Sequence, residues 1–264
     1  MGIHPTAEIH DKAHVEPGAE IGAGSVIGPF AVIGASVRLA ERVIVKNHAV
    51  ITGCTDIDDD TVVFPFAVLG EIPQDMKFKG ETTQLLIGKR NRIREHVTMN
   101  TGTEGGGGIT RIGDDGLFMA GCHVAHDCQI GDRVILVNGS AAAGHCIIED
   151  DVIVGGMSGL HQWVRIGRGA IIGAVTMVTA DVMPYGLVQG PRGTLDGLNL
   201  VGLKRRGVSK ADIAALRDLF MALGAGNFRE TARNRAEEEG NGALVREVLD
   251  FILGPSDRSY LTPR

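Results

Sequence analysis

Every sixth residue from Ile3 to Leu69 is a branched aliphatic, through Ile9, Val15, Ile21, Ile27, Ile33, Leu39, Val45, Ile51, Ile57 and Val63. The frame returns at Ile87, Ile93 and Met99, then runs from Ile112 to Val178 with Ala142 as its single small member. A period of six fits neither the 3.6 of an α-helix nor the alternation of a simple strand. It predicts a coil of three hexads whose aliphatic residues fill the axis of a triangular prism. The residue after the aliphatic is often glycine, as at Gly22, Gly28 and Gly113, and this is expected to ease a tight corner backbone. The fourth is often small, as at Ala31 and Ser140, and fits beside the axis. Eighteen residues per coil predict about nine coils and a prism about 43 Å long.

Two interruptions matter for function. Residues 70 to 86 lose the aliphatic at positions 75 and 81, and the Gly-rich residues 100 to 111 shift the frame by one. Both are expected to leave the prism as loops, where side chains are released from packing and free to carry chemistry. The frame ends at Pro184, and beyond it the pattern becomes helical. Ser209 is placed to cap a helix with Ile213, Leu216, Leu219, Phe220 and Leu223 on one face, and further helices are expected over 228–239 and 243–253. The predicted organisation is therefore an all-β parallel β-helix over 1–184 and a C-terminal α-helical domain over 185–264.

Composition sharpens this picture. Aromatic residues are only 4% of the 264, which suits an interior too narrow for rings. The helical part carries 12 basic and 10 acidic side chains, so the net charge of −6 divides into about −8 on the prism and +2 on the helices. The C-terminal part is the expected anion binder. No apolar run approaches the roughly 18 residues of a membrane span, and the N-terminus lacks a charged, apolar, cleavable signal, so stable membrane insertion is not expected. Cys122, Cys128 and Cys146 fall in the small-residue slot and are expected to be buried free thiols of a cytoplasmic protein.

Histidines cluster in the second half of the prism, at His123, His126, His145 and His161. The 18-residue period stacks His126, Gly144 and Gln162 in one column and Asp127, His145 and Trp163 in the next. A base beside an unshielded glycine N–H suits acyl transfer. His126 would deprotonate a hydroxyl, Asp127 would fix its tautomer, and the Gly144 N–H would receive the oxyanion. Polar residues on a solvated prism face would give the same columns.

The motifs QDMKFKGE (74–81), NRIREHVTMNTGTEGGG (91–107), HVAHD (123–127), VGGMSGLHQW (154–163) and GLNLVGLKRRG (197–207) extend the argument. With them the chain resembles the bacterial UDP-N-acetylglucosamine O-acyltransferases of lipid A biosynthesis, nearly end to end and in order. The resemblance implies a left-handed coil and a homotrimer with sites between neighbouring prisms. It implies transfer of a 3-hydroxyacyl chain from acyl carrier protein to the 3-hydroxyl of UDP-N-acetylglucosamine, with His126 as general base, Asp127 as its support and Gly144 as oxyanion donor. No metal, resident cofactor or nucleic acid is implied, because the carrier's phosphopantetheine delivers the acyl group as substrate.

The resemblance also places Gln74, Asp75 and Lys77 of the first loop on the sugar and nearby groups. His123, His145, His161 and Gln162 take positions that line the substrate, and Asn199, Arg205 and Arg206 take the nucleotide-contact segment, where paired guanidinium groups suit a diphosphate. Val201 departs from the pattern, standing where family members can carry an acid. Ala174 replaces a glycine that opens the far end of the acyl groove in some members, so a medium acyl length is expected. Lys89, Arg90, Arg92, Arg94, Arg165 and Arg168 are candidates for steering the acidic carrier. Three rivals stand beside this reading. One is a related N-acyltransferase, or an enzyme acting on a 3-amino UDP-sugar. Another is a zinc hydratase on the same prism, and the last is a purely structural β-helix.

Overall fold

In the computed structural model, which describes residues 2–263, the hexads form three flat faces. Face 1 starts at Glu8–Ile9 and has eleven strands, face 2 starts at His14–Val15 and has nine, and face 3 starts at Glu20–Ile21 and has eight. The second residue of nearly every two-residue strand points to the axis, so that Ile27, Val45 and Val63 stack in register on successive coils and are almost fully buried. The nine strands of face 2 match the nine coils expected.

The corners correct one expectation. Most glycines that follow the aliphatic do not take a left-handed backbone. They are needed because coils stack closely, and a methyl group at Gly22 would lie 2.3 Å from the Ala40 carbonyl oxygen. The left-handed residue comes two positions later and is usually not glycine. It is Phe30, His48, Phe66 and His96 on the edge between faces 1 and 2, and Arg42, Asp60, Arg90 and Arg133 on the edge between faces 3 and 1. On the edge between faces 2 and 3 it is Asp127 (φ 60°), His145 (φ 63°) and Trp163 (φ 67°). A non-glycine residue pays conformational energy there, and the stacked coils hold it in place.

Both loops are shorter than expected. Strands run through Val68–Glu71 and Gln84–Ile87 around the first, and through Thr98–Asn100 and Ile109–Ile112 around the second, leaving excursions over 72–83 and 101–108. Each joins face 2 to face 3, so both emerge on the 2/3 edge.

The prism also outlasts Pro184. Gly186–Gln189 pairs parallel with the coil below, matching Ile172 to Val188, and Thr194–Leu198 folds back antiparallel on it. That register is sixteen residues rather than eighteen, which is why the hexad frame loses it. Helices α1 (Leu200–Arg205), α2 (Lys210–Gly224), α3 (Phe228–Ala236) and α4 (Ala243–Leu253) follow. Ser209 caps α2 by accepting the Asp212 N–H at 3.0 Å, and Ile213, Leu216, Leu219 and Leu223 are buried. No helix among the described residues is long and apolar enough to cross a membrane.

After α4 the chain returns along the prism. Asp181, fully buried, accepts Arg165 Nε at 2.7 Å and Ser256 Oγ at 2.7 Å, and Arg165 also reaches the Tyr260 hydroxyl at 2.6 Å. Arg165 is thus a latch for the C-terminal tail and is not free to steer a carrier protein. Lys89 and Arg90 are likewise paired with Asp59 and Asp115, and Arg168 lies near Asp151 and Glu247. Cys122, Cys128 and Cys146 are buried and free, each thiol donating to a backbone carbonyl at 3.2 Å.

Candidate active site

The 2/3 edge gathers both loops and the histidine corners. His126 and Asp127 are buried, with 5% and 4% exposure. His126 Nδ1 lies 2.8 Å from Asp127 Oδ2, and a carboxylate there holds the proton on Nδ1. Nε2 then carries the free lone pair, and it has no hydrogen-bond partner among the described residues. Asp127 is itself fixed, since its carboxylate accepts the Thr103 N–H at 2.8 Å and the Thr103 hydroxyl at 2.6 Å. Its own N–H donates to Thr110 Oγ1 at 2.8 Å. Gly106 closes over this carboxylate so tightly that a methyl group would sit 2.1 Å from its carbon.

The imidazole lies over Gly144. A Cβ at that glycine would be 2.5 Å from His126 Cε1 and 2.6 Å from Nε2. The buried Gly144 N–H makes no hydrogen bond among the described residues, so a donor stands ready beside the base.

His145 meets the His126 ring edge-on at 4.8 Å and stacks flat on Trp163 at 3.8 Å. His123 Nδ1 is 2.7 Å from Thr98 Oγ1. Burial pushes both imidazoles below the ordinary histidine value, helped at His123 by His126 and opposed at His145 by the Asp127 charge. The direction favours the uncharged imidazole at both positions. Asp75 and Lys77 are close enough for their charges to act on His145, and the Lys77 N–H donates to Asp75 Oδ1 at 2.9 Å. Gln74 is exposed on the same loop. His161 and Gln162 occupy the next corner, where both meet Arg258 of the C-terminal tail.

His126, Asp127 and His145 are also the one group among the described residues whose ligand atoms converge as a metal site would require. The Asp127 oxygens are, however, already taken by Thr103 and His126. The cluster fits hydrogen bonding better than it fits an ion.

Other expected site residues lie elsewhere on the same chain. Asn199 caps α1 by accepting the Gly202 N–H and donates to the Gly169 carbonyl, each at 2.9 Å, so both ends of its amide are engaged. Arg205 and Arg206 are exposed on this segment, and Arg206 lies 5.9 Å over the Tyr185 ring. Gly169 and Tyr185 belong to the 3/1 edge, a full face away from His126. Six residues of strand make that face roughly 20 Å wide. Ala174 is exposed on the third edge, between faces 1 and 2. Thr103, Thr110 and Arg258 were not legible from the columns, because the first two act from or beside a loop and the last from a distant tail.

Comparison with known proteins gives concordant matches. Residues 181–261 match the second domain of UDP-N-acetylglucosamine O-acyltransferases, and residues 2–35 and 20–53 match bacterial transferase hexapeptide repeats. The chain is 77% identical over 202 residues to the acyl-(acyl-carrier-protein)–UDP-N-acetylglucosamine O-acyltransferase of Paracoccus denitrificans, covering 76% of this chain and 77% of the relative. It is 45% identical to that of Agrobacterium fabrum over 99% of this chain and 95% of the relative. A crystal structure of a UDP-N-acetylglucosamine acyltransferase, 42% identical, superposes with a TM-score of 0.94 over 97% of this chain and 99% of that one. The coil is a parallel β-helix, as the repeat predicts, and left-handed, as the resemblance implies, with helices at its C-terminus.

Proposed function

The chain belongs to the UDP-N-acetylglucosamine O-acyltransferase family, and from that premise we propose how its 2/3 edge performs the reaction. The protein transfers a 3-hydroxyacyl chain from acyl carrier protein to the 3-hydroxyl of UDP-N-acetylglucosamine, the first step of lipid A biosynthesis. His126 Nε2 takes the hydroxyl proton as the sugar oxygen bonds to the thioester carbon. The carbonyl oxygen becomes an oxyanion at the Gly144 N–H. Collapse expels the phosphopantetheine thiolate, which recovers the proton from the imidazolium. The carrying observation is the His126 ring, tied to Asp127 at 2.8 Å on one nitrogen and poised over Gly144 with the other.

Thr103 belongs to this machinery as a positioning residue. Thr103→Val removes the 2.6 Å bond to Asp127 but keeps the backbone bond, and kcat is expected to fall about tenfold with little change in KM. An unchanged kcat would show that Asp127 needs no such support.

The acceptor is bound by Gln74, Asp75 and Lys77, with His123 and His145 lining the site as neutral partners and Gln162 beyond them. Arg205 and Arg206 take the diphosphate. Within one chain they stand a face away from His126, so the site is completed by a second copy. The outer columns of faces 1 and 2 supply the means, being lined by residues such as Val26, Ile44 and Ile153 on one and Val32, Val50 and Val68 on the other. Face 3 instead carries Glu20, Arg38, Asp56 and Arg111. Three copies packed through their two aliphatic faces bring the 2/3 edge of one prism to the 3/1 edge of the next, and the homotrimer is the closed arrangement. Mixing chains that carry His126→Ala with chains that carry Arg205→Ala and Arg206→Ala is expected to restore about a quarter of the sites. No recovery would place the whole site within one chain.

Ala174 limits the acyl groove to medium length. Across a panel of 3-hydroxyacyl carriers, Ala174→Gly is expected to shift the preference to longer donors by about ten- to a hundredfold in kcat/KM. An unaltered preference would remove Ala174 from the ruler. The buried thiols support a reducing, cytoplasmic setting.

A further inference from the structure

The C-terminal tail is held to the prism on both sides of Arg258. Before it, Ser256 Oγ donates to the buried Asp181 carboxylate; after it, the Asp181 N–H donates to the Ser259 carbonyl and the Leu261 N–H to the Asp181 carbonyl, both at 2.8 Å. So anchored, the half-buried Arg258 reaches the corner at 161–163. Its Nε donates to the Gln162 carbonyl at 3.2 Å, and its Nη2 bridges that same carbonyl and His161 Nδ1.

A guanidinium has only donors. His161 Nδ1 must therefore accept, and the ring proton must sit on Nε2. The competing partner is the Gln162 carbonyl, 3.2 Å from the same nitrogen, which only accepts. Without Arg258 that carbonyl would draw the proton to Nδ1 and leave Nε2 bare. The tail thus selects between two tautomers of one exposed histidine on the catalytic edge.

We propose that Arg258 is a positioning residue that holds His161 as an Nε2–H donor toward the acyl donor. The assignment to the donor rests on the function proposed above. The acceptor's loop at 72–83 enters the edge on the N-terminal side of His126, whereas His161 lies one coil beyond Gly144 on the other side. With the acceptor's loop on one side of Gly144, the carrier-bound end of a thioester whose oxygen sits there is assigned to the other side. A donor on His161 Nε2 can bond an amide carbonyl of the pantetheine arm, and a bare nitrogen cannot.

The test uses the full-length protein with nitrogen-15-labelled histidine, the His161 signals being assigned by loss in His161→Gln. Long-range proton–nitrogen correlation reports which ring nitrogen carries hydrogen. We expect Nε2–H in the parent, Nδ1–H in Arg258→Ala, and a return to Nε2–H in Arg258→Lys, whose ammonium also donates. Kinetically, Arg258→Ala is expected to raise KM for the 3-hydroxyacyl carrier about tenfold, the size of one lost hydrogen bond, with kcat and the KM for UDP-N-acetylglucosamine within about twofold. Thermal melting should hardly move, because the tail's anchors remain. An unchanged tautomer in Arg258→Ala overturns the proposal. A reversed tautomer with unchanged donor KM, or with acceptor KM rising in its place, overturns the role toward the donor. Absence of acyl transfer by the parent would instead defeat the reading on which that role rests, while the tautomer result stands by itself.

Discussion

His126→Ala is expected to lower kcat for acyl transfer about 10²- to 10⁴-fold, the range removed with a positioned general base. The fold should survive. Asp127, which would otherwise be left as a buried unpaired charge, keeps both of its bonds from Thr103 and its own N–H bond to Thr110. The comparison of kcat with the melting temperature of the same preparation checks this. A variant that assembles and melts like the parent but has lost turnover also excludes a purely structural β-helix. A kcat within tenfold of the parent would mean that another group takes the proton, and His145, edge-on to His126 at 4.8 Å, is the first to examine.

Gly144→Ala is expected to cost at least about 10²- to 10³-fold in kcat/KM, comparable to loss of an oxyanion donor. The reason is spatial. Gly144 is outside the left-handed region, so alanine meets no backbone strain there, but its Cβ would stand 2.5 Å from His126 Cε1. The ring cannot yield easily, being tied to Asp127 at one nitrogen and packed against His145. The same methyl group also crowds the space in front of the Gly144 N–H. Overpacking of this kind costs roughly 1–3 kcal/mol of stability, far less than the catalytic loss expected. Steady-state kinetics beside thermal melting separates the two, and near-parental kcat/KM would move the oxyanion elsewhere.

The parts that repeat were legible in the chain. Ile27, Val45 and Val63 share one environment on successive coils, so packing imposes one residue type at one spacing. The stacking of His126 over Gly144 and of His145 on Trp163 follows from the same period. What escaped is what the repeat does not govern. Thr103 comes from an excursion whose path no period dictates, yet it fixes Asp127 more closely than any residue in the columns. The strand at Gly186–Gln189 was hidden by a register of sixteen, and Arg165 looked like a free cation because its partner Asp181 and the returning tail lie outside its own column. The glycines after the aliphatic suggest a corner conformation that the structure gives instead to residues such as Asp127 and His145, and most of these glycines serve close approach between coils.

The central claim is that this edge esterifies the 3-hydroxyl of UDP-N-acetylglucosamine. The most direct measurement incubates purified protein with that sugar nucleotide or its 3-amino analogue and a panel of 3-hydroxyacyl carrier proteins, identifying products by mass spectrometry and the acyl linkage by mild alkaline hydrolysis. The account predicts an alkali-labile 3-O-ester of UDP-N-acetylglucosamine. Acylation of the amino analogue alone, as an alkali-stable amide, or no product with any donor, would contradict it.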